Sequence, residues 1–173
     1  MVPDASSDLV VLGHRLPAQR SLVQREVALA GFAGVDELDD SVTVGSHVRE
    51  RLAWLAPWYR RSRRADQALV EGVLAPVFGD LPVPDVQTVV WHLDEVEALL
   101  LRIALAMAQR PGMIVVDDVD QVHDPARRRI VWSRLEALAA SGVTVIASCA
   151  DPDEAAGTAW TVLPVSAPLA LTD

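Results

Sequence analysis

Met113-Ile114-Val115-Val116 is a run of four apolar residues, bounded by Pro111-Gly112 before it and Asp117-Asp118 after it. Such a run predicts a strand of a parallel sheet, buried on both faces. Upstream, Val96, Leu99, Leu100, Ile103 and Met107 fall on one helical stripe. Asp94 with Glu97 three residues on predicts a capping box at the start of that helix, which should end at Arg110-Pro111-Gly112. Downstream, Pro125 should start a long helix carrying Ile130, Val131, Leu135 and Leu138 and stopping at Gly142. Val143 to Ser148 is a second buried-strand pattern. Helix, strand, helix, strand in this order is a βαβ arrangement. It puts the two carboxylates at the C-terminal edge of a parallel sheet, where open α/β sheets hold ligands.

The rest of the chain follows the same logic. Asp8 to Leu12 predicts a short strand ending at Gly13, and Glu26 to Gly34 another. Val35 to Ser41 is acidic and reads as a loop. Thr43 is the expected N-cap of a helix over His47 to Leu55, with Val48, Leu52 and Leu55 on one face and Pro57 ending it. After the basic cluster Arg60-Arg61-Ser62-Arg63-Arg64, a helix is predicted over Asp66 to Phe78 with Leu69, Val73 and Val77 on one face. Gly79 to Asp85 is a proline-containing linker. Asp151-Pro152-Asp153-Glu154 should open one more helix, and Trp160 to Val165 a last strand. There is no internal repeat and no low-complexity tract.

With 173 residues, 51% of them apolar, the chain is expected to form one globular domain with a real core. Its net charge of −9 argues against nucleic acid as a partner. All fifteen basic residues are arginine. One cysteine, Cys149, rules out a disulfide framework, fits a reducing compartment and is expected to be a small buried residue. Met1 to Asp8 lacks the pattern of a signal peptide, and no apolar run approaches the roughly 20 residues that span a bilayer. A soluble protein is expected, linked to any membrane through a partner.

The ordered segments together resemble the C-terminal part of an ATP-binding cassette (ABC) ATPase. Asp117-Asp118-Val119-Asp120-Gln121-Val122-His123-Asp124-Pro125 is similar to the family's Walker B and D-loop segment, with Arg110-Pro111 at the usual approach. Leu93 to Glu97 falls at the signature loop, normally Leu-Ser-Gly-Gly-Gln. Ser141 to Ile146, followed by Asp151 to Glu154, resembles the strand leading to the switch histidine. Leu12-Gly13-His14 and Val42-Thr43-Val44 resemble the turns around the Q-loop. The resemblance covers nearly the whole chain. It implies an α/β fold of the P-loop NTPase type, a three-layer sheet shortened on its N-terminal side. Residues 1–41 and 94–173 would form the ATPase-like core and 42–93 an inserted helical subdomain.

The resemblance further implies a nucleotide-binding subunit with ATP and Mg²⁺ as cofactors, working under an integral-membrane permease. The chain would pair with itself or with another ATPase-like chain, and would be cytoplasmic and peripheral to the inner membrane. In that scheme Asp117 would hold the metal's water shell, Asp118 would stand at the catalytic glutamate position, and Asp124 would lie at the dimer seam. Asp94, Glu95, Val96 and Glu97 would take the signature-loop positions and Ala150 the switch-histidine position.

The departures are as specific as the matches. No Gly-x-x-x-x-Gly-Lys-Ser/Thr loop is present, and that loop supplies the N–H cradle and the lysine for the β- and γ-phosphates. Met1 to Asp8 aligns just after the helix such a loop opens. Carboxylates at 94 and 95 would repel a phosphate from a helix N-terminus. Asp118 is one methylene shorter than glutamate, and no glutamine stands near Gly34. The expectation is poor ATP hydrolysis or none. The alternatives are a non-enzymatic pseudo-ATPase that scaffolds or regulates a permease or a competent partner, and a shortened version of a longer ATPase.

Plainer readings stand beside these. The acids at 117, 118, 120 and 124 could be ordinary loop acids, and those at 94, 95 and 97 simply a helix cap. A calcium loop fails for want of the central glycine and terminal glutamate. A haloacid-dehalogenase-like nucleophile at Asp118 would need a downstream lysine. The four histidines share no metal-ligand spacing. The arginine cluster reads as a solvated helix end or as a contact for phosphate or an acidic partner. Trp54, Trp58 and Trp91 read as core residues, or as anchors where this family docks its membrane partner.

Overall fold

The computed structural model describes residues 9–57, 59, 64–151 and 160–164. The chain opens with an antiparallel hairpin, β1 (Leu9–Val11) and β2 (His14–Leu16), with Leu9 opposite Leu16. Leu12 (φ 48°) and Gly13 (φ 81°) form its two-residue turn, both left-handed, as the strand twist of a tight hairpin favours. A short helix, α1 (Arg20–Glu26), with no buried residue, leads into β3 (Val27–Ala30). Neither β2 nor α1 has a periodic apolar pattern. The predicted strand over Glu26 to Gly34 shrinks to these four residues, because Gly31 takes φ 84° and turns the chain.

Two helices follow. α2 (Val44–Leu55) is capped by the Thr43 side chain, which accepts from the Ser46 N–H, and α3 (Gln67–Phe78) by Asp66, which accepts from the Leu69 N–H. The buried face of α3 is Val70, Leu74, Val77 and Phe78, rotated from the predicted Leu69, Val73 and Val77 set. Arg60 to Arg63 and Trp58 lie outside the described residues. α4 (Glu95–Met107) carries the predicted capping box and buries Val96, Leu99, Leu100, Leu101, Ile103, Ala104 and Ala106, while Met107 is half-buried. β4 (Met113–Val116), α5 (Pro125–Ala140) and β5 (Thr144–Ala147) complete the order. The α2, α3, α4 and α5 side chains share one apolar cluster with the inner face of the sheet.

The parallel sheet has the order β3-β4-β5. β4 is therefore central and paired on both sides. β5, expected to be buried, is an edge strand whose Ile146 is 50% exposed. Registers align Ala28, Ile114 and Val145 in one row and Ala30, Val116 and Ala147 in another, on the face that packs against α4 and α5. The alternate rows, Val27-Met113-Thr144 and Leu29-Val115-Ile146, lie on the other face, where Leu29 is 44% exposed. Ile114 and Val116 are fully buried, whereas Met113 and Val115 are only half-buried, so β4 is buried on one face and not on both.

Three further expectations change. Residues 160–164 are irregular and not a strand, and Trp160 instead packs edge-on against Trp132 with ring centroids 5.4 Å apart. Cys149 is half-buried. Trp54 and Trp91 are exposed, and Trp132 is the tryptophan of the core. The helix expected from Asp151 to Glu154 lies outside the described residues beyond Asp151. Among the described residues no helix is long and apolar enough to cross a membrane.

Candidate functional site

The C-terminal end of β4 is fastened to both neighbours before the chain turns. The Asp117 N–H donates to the Ala30 carbonyl at 2.9 Å. Ser148, just past β5, donates its Oγ–H to Asp117 Oδ1 at 2.6 Å, and its Oγ accepts from the Asp118 N–H at 2.8 Å. The Ser148 N–H donates to Val116 and the Val119 N–H to Ser148, so this one residue brackets the turn from both directions. Asp118 sits in the left-handed region (φ 50°, ψ 65°) with its side chain exposed. Gly31 packs so closely on the Asp117 backbone that a Cβ there would collide with it.

The neighbouring acids have separate occupations. Asp120 accepts the Ala150 N–H at 2.6 Å and lies 3.8 Å from the Arg128 guanidinium. Ala150, which the resemblance would put at the switch-histidine position, contributes a backbone donor and an exposed methyl group. Asp124 caps α5 by accepting from the Ala126 N–H at 2.7 Å. Asp117, Asp118, Asp120 and Asp124 therefore do not converge, and among the described residues no group of three or more potential ligands gathers around a metal position.

The N-terminus of α4 is closed by its own acids. Asp94 accepts from the Val96 and Glu97 N–H groups at 2.9 and 3.0 Å, while Glu97 accepts from the Asp94 N–H at 3.0 Å. The other Asp94 oxygen pairs with Arg127 of α5. Glu95 accepts from the His123 N–H at 3.0 Å and from its ring Nδ1 at 2.8 Å. Val96 is buried. Burial pushes the Asp94 carboxyl up, but the Glu97 N–H and the Arg127 fork outweigh it and leave the group below its ordinary value. The backbone and ring of His123 hold Glu95 low, and Asp94 pushes Arg127 up.

These donors are spent and the charge at the helix start is negative, so the described residues do not form a phosphate cradle.

A third set of contacts ties the turn after β3 to this region. Arg102 of α4 presents Nε and a terminal nitrogen to the two Asp36 oxygens at 3.0 and 2.7 Å, and its other terminal nitrogen to Gln121 at 3.0 Å. Two more arginines bridge helices. Arg51 of α2 donates to the Leu105 carbonyl, and Arg134 of α5 donates to the Val77 carbonyl at the end of α3. Burial lowers the Arg51 pKa.

Sequence reasoning missed Ser148, His123, Arg127, Arg102, Asp36 and Gln121. Only Arg102 had a local signal, as the one cation inside an apolar helix.

No protein-family model matches the chain. It is 31% identical over 144 residues to the Nod factor export ATP-binding protein I of Mesorhizobium japonicum, covering 83% of this chain and 39% of that protein. It is 27% identical over 146 residues to the protein of the same name from Rhizobium meliloti, covering 84% and 41%. The chain thus spans about two fifths of the length of these curated relatives. Among solved structures it superposes on the dimeric structure of a bacterial ABC transporter cassette with a TM-score of 0.62 at 16% identity, covering 87% of this chain and 66% of that one. A post-hydrolysis state of that cassette, bound to ADP and Pi, gives the same values. The chain is thus similar in sequence to ABC-type ATP-binding proteins and shares the fold of an ABC transporter cassette.

Proposed function

We propose that this chain acts as an ABC-type subunit beneath an integral-membrane permease, as a scaffold or regulator and not as the ATPase that drives transport. The observation that carries this is the α4 N-terminus. Asp94 and Glu95 occupy it, and Arg127 and His123 hold them there. Phosphoryl transfer depends on positioned donors and positive charge around the phosphates. Here the Asp94, Val96 and Glu97 N–H donors are used inside the capping box, and the charge that remains is negative.

On this reading Asp117 and Asp118 keep the Walker B geometry as a structural turn, with Asp117 serving the Ser148 hydroxyl in place of a metal's water shell. Asp124 serves α5 as a cap. The competent nucleotide site would be supplied by a second ATPase-like chain, and attachment to the inner membrane would run through the permease.

Titration calorimetry of the chain with Mg-ATP tests this. The expected result is no site of micromolar or tighter affinity, and no ATP hydrolysis above buffer. Micromolar binding by this chain would instead favour the reading in which it is an ATP-binding subunit in its own right.

A further inference from the structure

We propose that Arg102 is a relay that makes the turn over residues 31–36 and the acidic turn over residues 117–121 respond as one unit. The guanidinium sits between them and serves both. One side meets Asp36 at 2.7 and 3.0 Å and the Phe32 carbonyl at 3.0 Å. The other side donates to Gln121 Oε1 at 3.0 Å. Asp36 in turn accepts the Gly31 and Phe32 N–H groups at 2.9 and 2.8 Å, so each of its oxygens is shared between Arg102 and that turn. Gln121 passes the contact on, donating through Nε2 to the Asp118 carbonyl at 2.8 Å and the Asp117 carbonyl at 3.2 Å. An unbroken series of polar contacts therefore runs from Gly31 to the backbone of Asp118.

The side chains of Arg102 and Asp36 are 13% and 21% exposed, which separates this pair from the half-exposed Arg127–Asp94 pair. An exposed pair contributes little, whereas removing one member of a largely buried pair leaves a charge without its partner. A lysine could neutralise Asp36, but it could not hold a carboxylate bidentately and an amide at the same time. The planar fork is what makes the contact two-sided. This proposal does not rest on the scaffold reading, because both ends of the relay lie in this chain and neither needs a nucleotide.

Hydrogen exchange on the full chain, followed amide by amide, tests it. Asp36→Asn should raise exchange about tenfold at Gly31 and Phe32, where charge-assisted bonds are lost. It should also raise exchange at Val119, Gln121 and Val122, with Val131 to Leu138 of α5 unchanged as the reference. In a Gln121→Met background the same substitution should leave 119–122 unaffected. Arg102→Lys, which keeps the charge, should loosen both turns. A change confined to 31–36, or a uniform rise that includes α5, would overturn the relay, as would an Arg102→Lys protein that exchanges like the wild type.

Discussion

Glu95 at the first turn of α4 accepts two hydrogen bonds from His123, one from the backbone N–H and one from ring Nδ1, across 28 positions of sequence. With the Arg127–Asp94 pair beside it, this contact joins the start of α4 to the start of α5. Both carboxyls are held below their ordinary values of 4.5 and 3.8. The folded state therefore binds their protons less readily than the unfolded chain. Their stabilisation is fully present above those ordinary values and is lost as pH falls through the lower folded ones.

The first prediction follows from that sign. Glu95→Gln should melt below the wild type at pH 7, and the gap should close toward pH 3. Thermal melts across this range check it, and a gap that stays constant with pH would contradict the assignment.

Gly31 is the second test. Its φ of 84° and its contact with the Asp117 backbone both exclude a Cβ. Gly31→Ala should cost about 2–4 kcal/mol in chemical denaturation, because backbone strain and overpacking add at one position. Gly142, also left-handed but with open space around it, should cost only about 1 kcal/mol on the same change.

A third prediction concerns partner binding. Trp54 is 79% exposed at the end of α2, where it supports nothing in the core. Tryptophan in such a position is a common interface anchor. Trp54→Ala should weaken co-purification with a permease while leaving the melting temperature within a degree or two. Unchanged co-purification would move the docking surface elsewhere.

The fourth uses the outer face of the sheet. Leu29 and Ile146 flank Val115 in one cross-strand row and remain about half exposed. The isolated chain should bind a hydrophobic dye or self-associate in sedimentation, since exposed apolar rows on an edge strand invite contact. Leu29→Thr with Ile146→Thr should reduce both signals without lowering the melting temperature. A dye-free monomer before substitution would refute this.

What could be read from the residues beforehand was local. Thr43 and Asp94 each cap a helix through a bond spanning two or three residues, so the cap patterns sufficed; Asp66 and Asp124 cap in the same way but were not read as caps. β4 was legible because four apolar residues between turn signals leave few choices. Burial was not. The alternation in β5 shows only in the structure, because Thr144, Val145, Ile146 and Ala147 are all compatible with a buried strand while Ile146 faces outward. The acids at 94 and 95 were readable as a cap and as a poor phosphate site. Their partners at 127 and 123 were not, since nothing local links positions that meet only through the fold. Arg102 and Asp36 are 66 positions apart and met the same limit.

Asp118 has one more consequence. At φ 50° and ψ 65° its backbone lies in a region that aspartate and asparagine tolerate and that other side chains enter at a cost of about 1–2 kcal/mol. Placing glutamate at 118 is therefore more than lengthening a side chain by one methylene. The longer residue would have to accept the left-handed turn or straighten it, and straightening would pull the Asp118 N–H from Ser148 and the Asp118 carbonyl from Gln121. A glutamate at 118 thus bears on Ser148 and Gln121 as well as on its own position, and it would meet a backbone that suits the shorter acid.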